Sequence, residues 1–139
     1  MWIKVYQGKI PLNPVAMGRP RATKRGSVYT PGTSAKYMKL AQNELDIDIK
    51  IDKNIPIKIS ATYICKRPKS LNRKKDPINR IYKTTKSDID NLDKMLFDIL
   101  GKLKVFHDDA QIVQSTSEKY YCAKTEEPAT YFTIYLWSL

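Results

Sequence analysis

The sequence predicts an α+β domain: a small mixed β-sheet of about four strands packed with two helices, in the order β-α-β-α-β-β. Three stretches carry that expectation. From Ile55 to Cys65, Ile55, Ile57, Ile59, Ala61 and Tyr63 alternate with Lys58, Ser60 and Thr62, as in a strand with one buried face. Leu92, Met95, Leu96, Ile99, Leu100 and Leu103 recur at the spacing of one helix face. Two further strand-like runs, Ile112 to Cys122 and Ala129 to Trp137, are joined by Lys124 to Pro128.

The elements follow in order. Trp2 to Lys9 sets Ile3 and Val5 against Lys4 and Tyr6 and reads as a first strand. "NPVAMGRPRATKRGSVYTPGT" mixes Gly, Pro, Arg and Lys without a period, which predicts a basic loop. Thr33 or Ser34 can cap a helix that begins after Pro31-Gly32. Tyr37, Leu40, Ala41 and Leu45 then continue it to about Asp48. After the Ile55–Cys65 strand, Lys66 to Lys86 is polar and contains proline, so it reads as a long loop of the kind usually tied to function. The second helix opens at "SDIDNLDKMLFD", and in the last strand Phe132, Ile134 and Leu136 alternate with Tyr131, Thr133, Tyr135 and Trp137. The 139 residues predict a single domain over 1–139, able to bury roughly two-thirds of its unfolded surface.

Composition narrows the function classes. Only two cysteines occur, Cys65 and Cys122, without the spacing of a disulfide framework or a zinc site, which fits a reducing cytoplasm. There is no apolar run of membrane-spanning length and no signal-peptide pattern at the start. The expected localisation is cytoplasmic. The net charge is +11, which points to a polyanionic partner. That charge is concentrated: Met17 to Lys39 carries +6 and Cys65 to Lys86 carries +8, so the rest of the chain sums to −3. Arg19, Arg21, Lys24 and Arg25 in the first segment, and Lys66, Arg67, Lys69, Arg73, Lys74, Lys75 and Lys86 in the second, are the candidate phosphate contacts.

Directly behind the second basic segment stand Asp88, Asp90, Asp93 and Asp98, four aspartates in eleven positions. On a helix Asp90, Lys94 and Asp98 form one polar row opposite the leucine stripe. One reading is a solvated face, with Asp90 as N-cap and Asp90–Lys94 an ordinary i, i+4 pair. The other is a ligand set for a hard cation. Three observations favour the second: Asp88 is not needed for capping, the pair Asp108-Asp109 follows the helix, and the surroundings are positive. Unpaired N–H groups at a helix start favour ionised carboxylates, and magnesium takes such ligands together with water and phosphate. Lys94 can either neutralise charge on a scissile phosphate or pair with Asp90 or Asp98. An EF-hand loop, a nucleophilic D-x-D at a strand end and a P-loop are excluded by their missing residues. His107, the single histidine, reads as a loop residue.

"SDIDNLDKMLFDILGKLKVFHDDAQIV" resembles the central signature of the RusA-type Holliday junction resolvases, in which a D-x-D-N-x-x-K helix is followed by D-D-x-Q. Here these are Asp88, Asp90, Asn91 and Lys94, then Asp108, Asp109 and Gln111. "GRPRATKRGSVYTP" is similar to the family's basic loop. The resemblance implies a homodimeric endonuclease dependent on Mg2+, with Mn2+ as a substitute, that cuts four-way DNA junctions by paired symmetric nicks. Such enzymes act in recombination and repair and are often prophage-encoded. It implies Asp88, Asp90 and Asp109 as metal ligands and Lys94 as the catalytic lysine, with Asp108 a weaker candidate. Two departures bear on junction grip: Met17 stands where relatives often carry lysine, and the Lys66–Lys86 loop is long. The rival expectations are a non-catalytic basic DNA-binding protein and a metal nuclease acting on flaps, forks or RNA.

Overall fold

The computed structural model describes residues 1–18, 21–26, 28–29 and 32–139, with the backbone alone at 21, 28 and 29. Its strands are β1 (Trp2–Ile10), β2 (Arg21–Ala22), β3 (Val28–Tyr29), β4 (Ile57–Cys65), β5 (Ile81–Tyr82), β6 (Ile112–Tyr121) and β7 (Ala129–Trp137). Its helices are α1 (Gly32–Glu44) and α2 (Ile89–Lys102), with 3-10 turns at Lys69–Leu71 and Asp109–Gln111. Among the described residues no helix is long and apolar enough to cross a membrane.

The mixed α+β architecture is as expected, but the main sheet has five strands, in the order β1-β7-β4-β6-β5. The fifth, β5, comes from the segment read as loop; it pairs antiparallel with β6 through Ile81–Tyr121 and Tyr82–Tyr120. β4 and β6 run parallel, so α2 is the crossover of a β-α-β unit. The other sheet pairings are antiparallel.

The core lies between one face of this sheet and the two helices. Ile57, Ile59, Ala61 and Tyr63 of β4, with Phe132 and Ile134 of β7, meet Leu92, Met95, Leu96, Ile99 and Leu100 of α2. The leucine stripe therefore does what its spacing predicts. At the end of β4, Ile64 and Cys65 are both buried, so alternation stops where both faces are covered.

α1 departs from expectation at both its face and its end. Ser34, Tyr37, Met38 and Ala41 are its buried residues, while Leu40 is exposed; Met38, not Leu40, lies on the stripe. The helix stops at Glu44, and Leu45, Ile47, Ile49 and Ile51 then alternate with Asp46, Asp48 and Lys50, turning their apolar side chains to the core. A period of two replaces the helical period there. Ser34 is no cap: its hydroxyl accepts from the Gly18 N–H (2.8 Å) and donates to the Ala16 carbonyl (3.2 Å), tying the preceding loop to α1. Part of the basic loop is a hairpin, in which β2 and β3 pair antiparallel and Gly26 adopts φ +84°, a left-handed conformation that glycine takes without penalty.

Gly8 of β1 lies directly opposite Phe132 of β7. A Cβ there would stand 2.6 Å from a Tyr6 ring carbon and 2.7 Å from one of Phe132. Phe132 is 2% exposed and cannot swing clear. Gly8→Ala is expected to lower stability by about 1–3 kcal/mol, the usual range for overpacking; urea denaturation measures it.

Candidate functional site

The start of α2 presents two exposed carboxylates. Asp88 is the N-cap residue, with φ −68° and ψ 145°. Its backbone carbonyl accepts the N–H groups of Asn91 and Leu92 (both 3.2 Å), but its side chain makes no capping bond. Capping thus falls to the backbone of Asp88 and not to Asp90. Asp90 uses one oxygen to accept the Asn91 N–H at 3.0 Å. Both residues are exposed. Among the described residues the ion pairs are Arg73–Asp76 and Arg80–Glu126, so the Asp90–Lys94 pair of the solvated-face reading does not form.

Two contacts from other parts of the chain fix this turn. The Asn91 carbonyl accepts the Met17 N–H at 3.0 Å, which fixes Gly18, the last described residue before Arg19, beside the aspartates. From β6, Lys119 Nζ donates to the carbonyls of Thr85 (2.7 Å) and Ser87 (2.6 Å). Lys119 was not read from the sequence as a site residue; its place on the α2 side of an alternating strand was the available signal.

Asp93, which the solvated-face reading leaves in water, is half-buried and turned to the sheet. Its Oδ1 accepts from the Tyr63 hydroxyl and the Ser117 hydroxyl, each at 2.6 Å. Burial, and then this carboxylate acceptor, push the Tyr63 hydroxyl well above the ordinary tyrosine range, so Tyr63 stays a donor. The two bonds lock the first turns of α2 onto β4 and β6. A sequence alone gives no sign that residues 30 and 24 positions away supply these donors.

Asp109 stands elsewhere. It opens the 3-10 turn before β6, whereas Asp88 sits beside Lys119 near the far end of the same strand. A strand rise of about 3.3 Å places Lys119 roughly 23 Å beyond Ile112. The electrostatic neighbour of Asp109 on α2 is Asp98, whose carboxyl is raised by burial, lowered by Lys94 and raised again by Asp109. Asp98 lies about 12 Å along the helix axis from Asp90. No three His, Cys, Asp or Glu side chains come together as a metal-holding group among the described residues. Within one chain, α2 runs back along β6 and carries the Asp88–Asp90 pair and Asp109 to opposite ends.

Asp108 and Gln111 explain the D-D-x-Q signature structurally. Asp108 accepts the Ala110 N–H at 2.9 Å; this bond, and then the Asp109 side chain, hold its carboxyl below the ordinary range. Gln111 is buried, accepts from the His107 and Asp108 N–H groups, and donates to the Asp52 and Ile55 carbonyls. It sets the backbone from which Asp109 projects into solvent. His107 is exposed. Lys94 and Asp98, with Lys102, line a groove of about 570 Å3 against Lys39 and Met38 of α1 and Met17.

Of the candidate phosphate contacts, Lys24, Arg25, Lys66, Lys69, Arg73, Lys74, Lys75 and Lys86 are exposed. Arg19 and the Arg21 side chain lie outside the described residues. Arg73 is paired with Asp76. Arg67 is corrected: it is 8% exposed, and its guanidinium donates to the carbonyls of Cys122 (2.6 Å), Leu71 (2.8 Å) and Asn79 (2.7 Å). It organises the basic segment from inside and is not available to phosphate. The two cysteines are free and buried.

The family model for endodeoxyribonuclease RusA matches residues 11–135, a span that holds α1, α2, both aspartate groups and both basic segments. A curated relative from Lactococcus phage r1t, named as a crossover junction endodeoxyribonuclease rusA, is 37% identical over 68 residues, covering 49% of this chain and 47% of the relative. The chain thus spans about half the length of that relative. With nearly its whole length matched by the one model, the chain belongs to the RusA endodeoxyribonuclease family.

Proposed function

We propose that this chain is a divalent-metal-dependent endodeoxyribonuclease that resolves four-way DNA junctions by paired nicks in recombination and repair, as a homodimer. The observation that carries the reading is the pair of exposed carboxylates, Asp88 and Asp90, at the start of α2 beside the two basic segments. Both fit a hard cation: they are exposed, offer oxygen only, and the Asp88 side chain is not consumed by capping. Mg2+ is the natural occupant, with Mn2+ as a substitute, since both take carboxylate oxygens. Such an ion supplies polarisation of the phosphodiester and a water acidified for attack. Lys94, one turn beyond Asp90, presents positive charge to the same phosphate. The exposed lysines of the two basic segments hold DNA through phosphates, which is independent of sequence and sensitive to salt.

The third carboxylate has to come from elsewhere, and a second copy supplies it. Asp90, Lys94, Asp98 and Lys102 alternate in sign at every turn of α2. Two such rows running antiparallel about a two-fold axis place each charge near its opposite. The same crossing brings the Asp98–Asp109 end of one helix toward the Asp88–Asp90 end of the other. Each centre then draws Asp88 and Asp90 from one chain and Asp109 from its partner, and two centres make symmetric cuts.

Mixing two inactive variants tests this. Asp90→Asn and Asp109→Asn proteins should each fail to nick a synthetic four-way junction in Mg2+. Heterodimers formed from both hold one centre with all its carboxylates, so nicking on one strand should return. If the mixture stays inactive while the wild type cuts, the shared centre is wrong. If the wild type cuts flaps, forks or RNA in preference to junctions, the substrate is wrong, and no cutting at all leaves a non-catalytic DNA-binding protein.

A further inference from the structure

The sheet face turned away from α2 carries an aromatic pair that the nuclease chemistry does not use. Ser117 of β6 bonds Asp93 of α2, so Tyr120, three residues on, projects from the opposite face. Tyr82 of β5 stands beside it in register. Their rings stack with centroids 4.7 Å apart and planes 23° from parallel. Tyr120 is held in place: its hydroxyl donates to the Glu118 carboxylate, and the Arg80 guanidinium lies 5.8 Å from its ring centroid. Arg80 is in turn anchored and neutralised by Glu126, at 2.6 Å. Tyr82 is the front of the pair. It is 69% exposed, and β5 is an edge strand, so one face of its ring rests on Tyr120 and no strand covers the other.

The surroundings indicate what that open face meets. Tyr82 belongs to the segment Cys65–Lys86, whose net charge is +8. Lys83 follows it, and Lys119 precedes Tyr120 while holding the Ser87 carbonyl next to Asp88. By alternation Lys83 and Lys119 face the α2 side and Tyr82 the other, so a polyanion drawn to the candidate centre reaches Tyr82 by wrapping the β5 edge. A flat ring fixed from behind loses little freedom on stacking, and every nucleobase has a π-face to offer. Bases inside an unbranched duplex are already stacked on both sides, whereas bases at a branch point can be opened. We infer that Tyr82, backed by Tyr120, is a stacking platform for an unpaired nucleobase of branched DNA. The inference rests on the reading of the chain as a branched-DNA nuclease.

The full-length protein is tested in EDTA on four-way junctions carrying 2-aminopurine at successive positions around the branch. The wild type should quench the probe at one or two positions. Tyr82→Ala should abolish that quench and weaken junction binding roughly 5- to 100-fold, leaving affinity for unbranched duplex unchanged; Tyr82→Trp should keep both. Because the ring is mostly in water, all three proteins should melt alike. Unchanged quench and junction affinity in Tyr82→Ala overturns the platform and leaves the nuclease reading intact. A wild type that does not prefer junctions to duplex defeats that reading and the platform with it. A normal quench together with dimer loss by light scattering in Tyr82→Ala assigns the ring to a second copy and overturns the platform.

Discussion

Asp90→Asn is expected to abolish junction cleavage in Mg2+ while junction binding in EDTA persists or tightens. The two halves have one cause. Asp90 projects from the first turn of α2 beside the two basic segments, and its side chain makes a single bond, to the Asn91 N–H. Asparagine keeps an oxygen for that bond, so the helix start should fold unchanged. What it loses is one negative charge on a group proposed to hold a divalent ion. Loss of an outer-sphere partner at a metal site already costs about 10–100-fold, so removing a direct ligand should exceed that range in single-turnover cleavage. Without metal, the same carboxylate only repels phosphate, and its neutralisation favours DNA. Undiminished cleavage by the variant would remove Asp90 from the chemistry.

Arg67→Met is expected to cause the largest loss of stability outside the main core. Four backbone carbonyls, from Cys122, Leu71, Asn79 and, more distantly, Ile78, converge on one buried guanidinium. Hydrogen bonds to a charged donor contribute about 1.5–3 kcal/mol each, and water can replace some of them at the half-open ends. A net loss of about 3 kcal/mol follows, against a typical total of roughly 5–15 kcal/mol. That should lower the melting temperature by roughly 10 °C. Arg67→Lys should recover little, because an ammonium cannot span carbonyls arranged around a planar fork. A protease should cut Arg67→Met first between residues 68 and 80. If the variant melts like the wild type, the carbonyls find other partners and Arg67 is no organiser.

These two residues show what was legible in the sequence and what was not. Asp90 was visible because its signal is local: a helix start, a polar row and a neighbouring basic run all lie within twenty residues. The α2 stripe, β4, β6 and β7 were visible for the same reason, through period. Arg67 was not, because nothing in "CKRPKS" distinguishes a buried arginine from the exposed lysines on either side; its partners lie as far as 55 positions away. The anchoring role of Asp93 was hidden for a like reason, since Tyr63 and Ser117 reach it from two different strands. β5 is only two residues long, too short to show alternation. The wide separation of Asp109 from Asp88 is a matter of topology: a motif shows spacing along the chain, not which end of a crossover helix each half occupies.

The register of β1 against β7 has a consequence during synthesis. Trp2 pairs with Trp137 and Ile10 with Thr130, so among the described strands of this sheet the first to be synthesised has the last as its one neighbour. At about 5–20 residues per second, β1 waits on the order of ten seconds for its neighbour. Throughout that interval Ile3, Val5 and Tyr6 have no sheet to join, and the nascent chain is at its most prone to pair wrongly with another polypeptide.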